Sequence, residues 1–181
     1  MVGHSSSAYE RELRSLLEGQ PDAVRRYAHS LPPTERSEFE RLIEQPFLVI
    51  RAAGSLGFDL VALRREFAVP LEVKASSEPV IRFSAASGRA NAQLELHRKA
   101  VERVGLTVLY AYRRVGFRGA EAWRVFVTGK TPESGILRLV CRRLPKVSET
   151  PEGNGILRWE EGSPLSRFLY EVRFLMERQA E

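Results

Sequence analysis

The sequence contains very little cysteine, histidine and lysine, and the shortages exclude several classes of protein. Its single cysteine, Cys141, excludes a disulfide framework or a cysteine-based metal site within one chain. The three histidines are scattered. No apolar run approaches the ~20 residues that a transmembrane helix needs, and the first residues lack the hydrophobic core of a signal peptide. We therefore expect a cytoplasmic protein with no membrane partner.

Arginine is what the chain has in excess. Its 28 basic residues comprise 24 arginines and only four lysines, and the formal net charge is +5. An anionic partner is therefore expected. The guanidinium group binds phosphate through a planar fork that lysine lacks, although a genome rich in arginine codons would produce the same composition. With 181 residues, 43% of them hydrophobic, the chain suits one domain, or one domain with an appendage.

The most informative stretch is residues 54–75, where two apolar runs flank a charged turn at 64–66. This pattern predicts a β-hairpin. The midpoint between Asp59 and Glu72 falls on this turn, so their carboxylates are predicted to lie nearly opposite each other on paired strands. Glu72 and Lys74 share one strand face, because side chains alternate with a period of two. The hairpin therefore predicts two acids and an amine at one end of a sheet.

The remaining patterns predict an α/β sandwich with a mixed sheet. Helices are predicted from residue 8, in two pieces over 22–45 with a break at 31–33, over 90–104, and from Pro164 with Ser163 as its cap. Further strands are predicted at 47–51, 107–112 and 123–127. Residues 76–90 are expected to form a loop, in which Phe83 either stacks on an opened base or anchors the loop in the core.

The C-terminal region contains a short repeated sequence, Gly-Ile-Leu-Arg, which occurs within residues 134–138 and again within 154–158. We expect these two segments to pair as a hairpin. The helix after Pro164 has an apolar stripe, which favours packing on the sheet over a dimer contact.

Carboxylates placed as in the hairpin suit a divalent cation. Mg²⁺ prefers oxygen ligands, polarises a phosphate and lowers the pKa of a bound water, and a lysine beside it stabilises developing charge. Each residue alone has a simpler explanation, since Glu-x-Lys is common on solvated strand faces. The combination of Asp59, Glu72 and Lys74 with a helical Glu10, and with Ser55 in the preceding Gly-Ser turn, favours a site.

This pattern resembles the PD-(D/E)xK nuclease superfamily. Within it, residues 9–12 and 47–112, about half of the chain, resemble the archaeal-type Holliday junction resolvases. The matching segments are Tyr9-Glu10-Arg11-Glu12-Leu13, Val49-Ile50-Arg51-Ala52-Ala53-Gly54-Ser55, Asp59-Leu60-Val61-Ala62 and Leu71-Glu72-Val73-Lys74. The helix that contains Gln93 matches the family's glutamine helix.

The resemblance implies a restriction-endonuclease-like fold and a homodimeric, Mg²⁺-dependent endonuclease, for which Mn²⁺ substitutes. Its substrate would be branched double-stranded DNA, the four-way junctions of recombination and repair, cut by paired symmetric nicks. By the resemblance the metal is bound by Glu10, Asp59 and Glu72, and catalysis involves Asp59, Glu72, Lys74 and the active-site Ser55. Candidate DNA contacts are Arg11, Arg51, Arg82, Arg89 and Gln93.

On this basis residues 1–130 form the nuclease domain, with an α-helical insertion at 20–45. Residues 131–181 form a C-terminal extension made of a hairpin and an amphipathic helix. The insertion and the extension depart from the family, and no proline precedes Asp59. Two alternatives remain open: another nuclease of the superfamily that acts on flaps, ends or foreign DNA, and a non-catalytic DNA-binding or structural module with a decayed site.

Overall fold

A computed structural model describes residues 6–52, 57–83, 89–105, 107–129 and 131–178. The strands are β1 (Leu48–Arg51), β2 (Leu60–Arg64), β3 (Phe67–Ser76), β4 (Val80–Phe83), β5 (Leu109–Arg114), β6 (Trp123–Val127), β7 (Ser148–Glu149), β8 (Gly155–Arg158) and β9 (Ser163–Pro164). The helices are α1 (Ser6–Leu17), α2 (Pro21–Ala28), α3 (Pro33–Glu40), α4 (Arg89–Val104), α5 (Gly135–Cys141) and α6 (Leu165–Arg178). In these ranges no helix is long and apolar enough to span a bilayer.

Six strands form a central mixed sheet in the order β1-β2-β3-β5-β6-β9, and three form a smaller sheet in the order β4-β8-β7. In the central sheet β3 and β5 are parallel, and the other neighbours are antiparallel. Parallel strands need a long crossover, and α4 lies within it. Helices pack on both faces of the sheet. The predicted α/β class, with a mixed central sheet flanked by helices, is confirmed.

The two faces of the central sheet carry different cores. Leu71 and Val73 of β3 point into the larger core, which α1, α2, α3, α5 and α6 cover. Glu72 lies between them and points to the opposite face, where Tyr110 and Tyr112 of β5 join a smaller core under α4 and the small sheet. Both tyrosines are buried and pack in this core. The alternation predicted for β3 therefore places Glu72 on the face of the sheet that carries the smaller core.

The predicted insertion is helical in two pieces, as expected. Helices α2 and α3 are separated at residues 29–32, where Pro32 and Pro33 interrupt the pattern. The Tyr27 and Phe39 rings stack with their centroids 5.0 Å apart and hold the two helices together. Helices α2 and α3 therefore extend the larger core over α1 and α6.

The predicted pairing of residues 134–138 with 154–158 is wrong. The first segment lies in α5, where Ile136 and Val140 are buried one turn apart. The second is β8, which pairs with β4 and β7 instead. The same four letters thus take two conformations, because the burial pattern of the flanking residues, rather than the shared letters, decides the structure.

The segment predicted as a loop, residues 76–90, contains strand β4 in its described part. Phe83 ends this strand and is fully buried against Tyr110, with ring centroids 5.7 Å apart. Of the two roles considered for Phe83, the anchor into the core is the one observed. The strand was missed because only four residues pair, and their partner, β8, lies more than seventy residues along the chain.

The last helix begins at Leu165, after the predicted cap and first helical residue. Ser163 and Pro164 form β9 at the edge of the central sheet. The cap comes from a distant residue, because Glu121 accepts the backbone N–H of Ser166 at 2.6 Å and the Ser166 hydroxyl at 2.8 Å. The proposed domain boundary at residues 130 and 131 remains a prediction, but β9 and α6 complete the central sheet and the larger core.

Glu121 gives a pH-dependent prediction. Burial raises the pKa of this carboxyl group above its ordinary value, against the opposing hydrogen bonds from Ser166. A carboxyl group whose pKa rises on folding stabilises the protein below its unfolded pKa, and this contribution is lost as the pH rises through the folded pKa. We therefore expect Glu121→Gln, which cannot titrate, to gain free energy of unfolding relative to the wild type as the pH rises from about 4 through the raised pKa of Glu121. Urea denaturation at a series of pH values measures the difference, and two parallel curves would contradict it.

Candidate active site

The β2–β3 register brings Asp59 beside Glu72. Leu60 pairs with Leu71, and the Asp59 backbone N–H also donates to the Leu71 carbonyl at 3.1 Å, so Asp59 lies at the end of this ladder and its charge acts on Glu72. The Asp59 carboxylate bends back over the strand, where its Oδ2 accepts the backbone N–H of Val73 at 2.7 Å. Burial raises the pKa of Asp59, the Val73 bond opposes this, and the charge of Glu10 adds to it. One Asp59 oxygen is thus held in place by the backbone beneath the site.

Glu72 is the most unusual group in the site, because its carboxylate is only 3% exposed. Its Oε1 accepts a hydrogen bond from Lys74 Nζ at 2.6 Å, whereas Oε2 has no partner in the described part of the chain. Burial raises the pKa of Glu72 to about 7, although the Lys74 charge favours the ionised form. A buried carboxylate oxygen without a partner is costly, so it indicates a group that something else is meant to bind.

Lys74 is held between two acceptors. Its Nζ donates to Glu72 Oε1 and, at 2.9 Å, to Gln93 Oε1 on α4. The Gln93 amide in turn donates through Nε2 to the Gly57 carbonyl at 3.1 Å. Gln93 was predicted to contact DNA, but here its side chain bridges Lys74 and the backbone two residues before Asp59. The lysine is therefore fixed in direction rather than free to rotate.

Sequence reasoning missed His97, which is buried in the wall of the site. Its Nε2 faces the Gly57 carbonyl, and its Nδ1 lies 2.8 Å from the Tyr110 hydroxyl. A carbonyl only accepts, so Nε2 carries the proton and Nδ1 accepts from Tyr110. Burial lowers the pKa of His97, which agrees with a neutral ring. The available signal was its spacing of four residues from Gln93, which puts both side chains on one helix face.

Gly57 is the point at which these bonds converge. It adopts a φ of +80°, and a Cβ there would lie 2.6 Å from Leu96 Cδ2 on α4. Only glycine therefore fits this close approach, and two α4 side chains, Gln93 and His97, reach its carbonyl. The backbone that leads to Asp59 is thereby fastened to the helix that also holds Lys74.

Glu10 on α1 lies at the edge of the site, next to an arginine. Its Oε2 is 3.4 Å from Arg51 Nη2 at the end of β1, and its charge contributes to the raised pKa of Asp59. Among the described residues, however, no group of three or more His, Cys, Asp or Glu side chains is arranged to hold a metal ion. The charges of Glu10 and Glu72 therefore each interact with that of Asp59. The predicted three-carboxylate ligand set is nevertheless not formed in this conformation.

The other predicted site residues are more dispersed. Arg11 is exposed on α1 and lines a groove against α2 together with Arg26, so it faces away from the hairpin. Arg82 is exposed on β4 of the smaller sheet. Ser55 lies outside the described residues, as does the side chain of Arg89, which begins α4.

Comparison with known proteins adds a distant likeness. No protein-family model matches the chain, and no curated protein matches it. Among solved structures, one that matches is Hjc, a Holliday junction resolvase from the archaeal hyperthermophile Archaeoglobus fulgidus. The two chains share 22% sequence identity, the match covers 75% of this chain and 91% of that one, and the TM-score is 0.45. The functional interpretation therefore rests on the residues of this chain.

Proposed function

We propose that this protein is a divalent-metal-dependent DNA endonuclease of the PD-(D/E)xK type. One observation carries the proposal: among the described residues Glu72 is buried with Oε2 unpartnered, within electrostatic reach of Asp59, and with Lys74 bonded to its other oxygen. A stabilising core would place apolar residues there, because an isolated buried carboxylate is unfavourable. The resemblance of the surrounding motifs to this superfamily points to the same chemistry.

The residues fit a hard divalent cation, Mg²⁺, with Mn²⁺ as a substitute. Glu72 Oε2 and the Asp59 carboxylate offer oxygen ligands of the kind that this ion prefers, and their mutual repulsion would be relieved by binding it. Glu10 is the candidate third carboxylate, and it would have to leave Arg51 to join them. When bound, the ion would polarise the scissile phosphate and supply an activated water.

The chain itself would orient the reacting groups. Lys74, held by Glu72 and Gln93, places an ammonium group beside the acids, where it would orient the attacking water or stabilise charge on the phosphate. Gln93 and His97 would keep the Asp59 backbone in register with Lys74 through Gly57. This preorganisation is what a hydrolytic site needs before the substrate arrives.

The proposed substrate is a four-way DNA junction, cut as paired symmetric nicks by a homodimer in recombination and repair. Support comes from the resolvase-like motifs and from the arginine-rich composition, which suits recognition of phosphates and DNA shape rather than base sequence. Candidate phosphate contacts are Arg11, Arg51, Arg82 and Arg89. Ser55 is proposed to act beside Asp59.

The test is a cleavage assay with purified protein and Mg²⁺ on synthetic four-way junctions, flaps, splayed arms and linear duplexes. Paired nicks confined to the junction are the expected result. Cutting of flaps or ends instead would keep the nuclease but replace the substrate. Binding without cutting in Mg²⁺ or Mn²⁺ would leave only a DNA-binding module. If the protein neither bound nor cut any of these substrates, the proposal would be refuted.

We expect Gln93→Leu to lower the cleavage rate by about 10- to 100-fold, while junction binding is unchanged. The substitution removes one Lys74 acceptor and one anchor of Gly57, but it leaves every carboxylate in place. Single-turnover kinetics measure the rate, and gel-shift assays in Ca²⁺ measure binding. Asn91→Leu, on the same helix, is the matched control. An unchanged rate in Gln93→Leu would show that Lys74 does not need this partner.

A further inference from the structure

The turn between β5 and β6, residues 115–122, lies at the same end of the central sheet as the candidate active site. Strands β3 and β5 run parallel, with Lys74 opposite Tyr112 and Ser76 opposite Arg114. The chain leaves β5 just beyond this point and enters the turn. Because neighbouring strands are ~4.8 Å apart, β6 lies only about 10 Å across the sheet from β3.

Two aromatic side chains, Trp159 and Phe117, form a platform at this end of the sheet. Trp159 is 5% exposed, and its indole N–H donates to the Ala122 carbonyl at 2.9 Å, which fixes the ring against the turn. The Phe117 ring lies on it, with the centroids 4.4 Å apart and the planes tilted by 49°. Phe117 also covers Gly119, where a Cβ would be 2.3 Å from the Phe117 ring. Phe117 nevertheless remains 37% exposed, so the inner side of the platform is packed and the outer side is open.

Positive charge surrounds the platform. The Arg124 guanidinium lies 4.0 Å from the centre of the Trp159 ring, and that of Arg114 lies 6.0 Å from it. Arg118 is exposed next to Phe117. Over the described ranges, none of these three arginines forms an ion pair with a carboxylate, and Arg114 and Arg124 donate hydrogen bonds to backbone carbonyls. The buried Glu121 still attracts Arg124, which leaves Arg114 and Arg118 as the outward charges.

We propose that Phe117, Arg114 and Arg118 form a second DNA-binding surface, which takes an unstacked nucleotide about five nucleotides from the cleaved phosphate. Phe117 stacks on the open base, and the two arginines bind the flanking phosphates. The turn lies about 10 Å across the sheet from β3, and the four residue steps from Glu72 to Ser76 add about 13 Å along it, so about five nucleotides at ~3.4 Å per step separate the two sites. Aromatic rings beside arginines are a common way to bind single-stranded or splayed bases without sequence preference. The inference rests on the proposed function, and it specifies that the substrate contains an opened base.

A nucleic acid fits this surface better than a protein partner does. The apolar part consists of one half-exposed ring, whereas docking of a folded protein uses a broad patch around buried anchors. A base needs only one ring face, and its two phosphates match the two outward guanidinium groups. The surface also continues the sheet end that carries Asp59 and Lys74, so one strand can reach both.

Binding is tested in the Asp59→Asn background, so that cleavage does not interfere. Fluorescence anisotropy compares a splayed or four-way substrate with a continuous duplex of equal length. We expect Phe117→Leu, which keeps an apolar cover on Trp159, to weaken binding to the branched substrate roughly tenfold and leave duplex binding unchanged. Phe117→Trp should retain binding. Tyr170→Leu, at an exposed ring on α6, is the matched control.

A second measurement does not disturb the platform. Arg118→Gln should reduce the salt dependence of binding by about one unit in the slope of log affinity against log salt. Arg142→Gln, an exposed arginine on the other side of β6, should leave the slope unchanged. Equal affinities of Phe117→Leu and the parent for branched DNA, with an unchanged slope in Arg118→Gln, would overturn this inference while leaving the nuclease proposal intact. Failure of the parent to bind any DNA would instead refute the proposed function.

Discussion

Asp59→Asn and Glu72→Gln are each expected to lower the rate of Mg²⁺-dependent DNA cleavage about a thousandfold or more. Both substitutions keep the size of the side chain and remove one negative charge from the pair that faces the proposed cation. A metal ion stabilises the transition state of such a reaction by several kcal/mol, and each 1.36 kcal/mol corresponds to about tenfold in rate. Loss of a ligand that holds the ion should remove most of that stabilisation.

Single-turnover kinetics on a four-way junction in excess enzyme measure the chemical step apart from product release. Glu66→Gln is the control, because it removes an equal charge from the exposed turn of the same hairpin, at the far end of β3. Its rate should match that of the wild type. Cleavage by Asp59→Asn within tenfold of the wild-type rate would show that the acid pair does not hold a catalytic metal.

The hairpin could be predicted from the sequence because its information is local. Alternating apolar residues fix which side chains share a face, and the charged turn fixes the register, so the pairing of Leu60 with Leu71, next to the two acids, follows from counting. Strand β6, bounded at Trp123 and Val127, was predicted at its observed limits for the same reason. Short elements with regular patterns are well determined by their own residues.

The features that were missed depend on partners far along the chain. The cap of α6 is Glu121, 45 residues before the N–H that it accepts, so the local Ser163-Pro164 signal was misleading. His97 acquires its role only when α4 packs over Gly57 and Tyr110. No periodicity in the sequence predicts these contacts, because they arise from the packing of elements that are far apart along the chain.

The site occupies the thinner of the two cores, and this placement has a physical consequence. On the larger core, a carboxylate on β3 would be covered by several layers of helices. On the side of Tyr110, the described elements that cover it are α4 and the small sheet, and Lys74 still reaches solvent. A half-covered face gives a low dielectric around Glu72 while leaving a path for a cation and a phosphate.

This arrangement predicts that Glu72→Gln stabilises the metal-free protein although it abolishes activity. At neutral to alkaline pH the wild type must keep a charged carboxylate that is 3% exposed, with Oε2 unpartnered. The amide removes the charge and still offers an oxygen to Lys74, which also keeps Gln93 as a partner. We expect a gain of about 1–3 kcal/mol in the free energy of unfolding, or about 2–10 °C in Tm.

The decisive comparison adds the cation. In EDTA at pH 8, thermal unfolding should show Glu72→Gln above the wild type, and Glu66→Gln should coincide with the wild type. Addition of Mn²⁺ should raise the wild-type Tm, since ligand at about 100 times its Kd stabilises by about 2.7 kcal/mol, and should leave Glu72→Gln unchanged. If Glu72→Gln were less stable than the wild type in EDTA, the buried carboxylate would be a structural group. If both proteins responded equally to Mn²⁺, the ion would bind elsewhere.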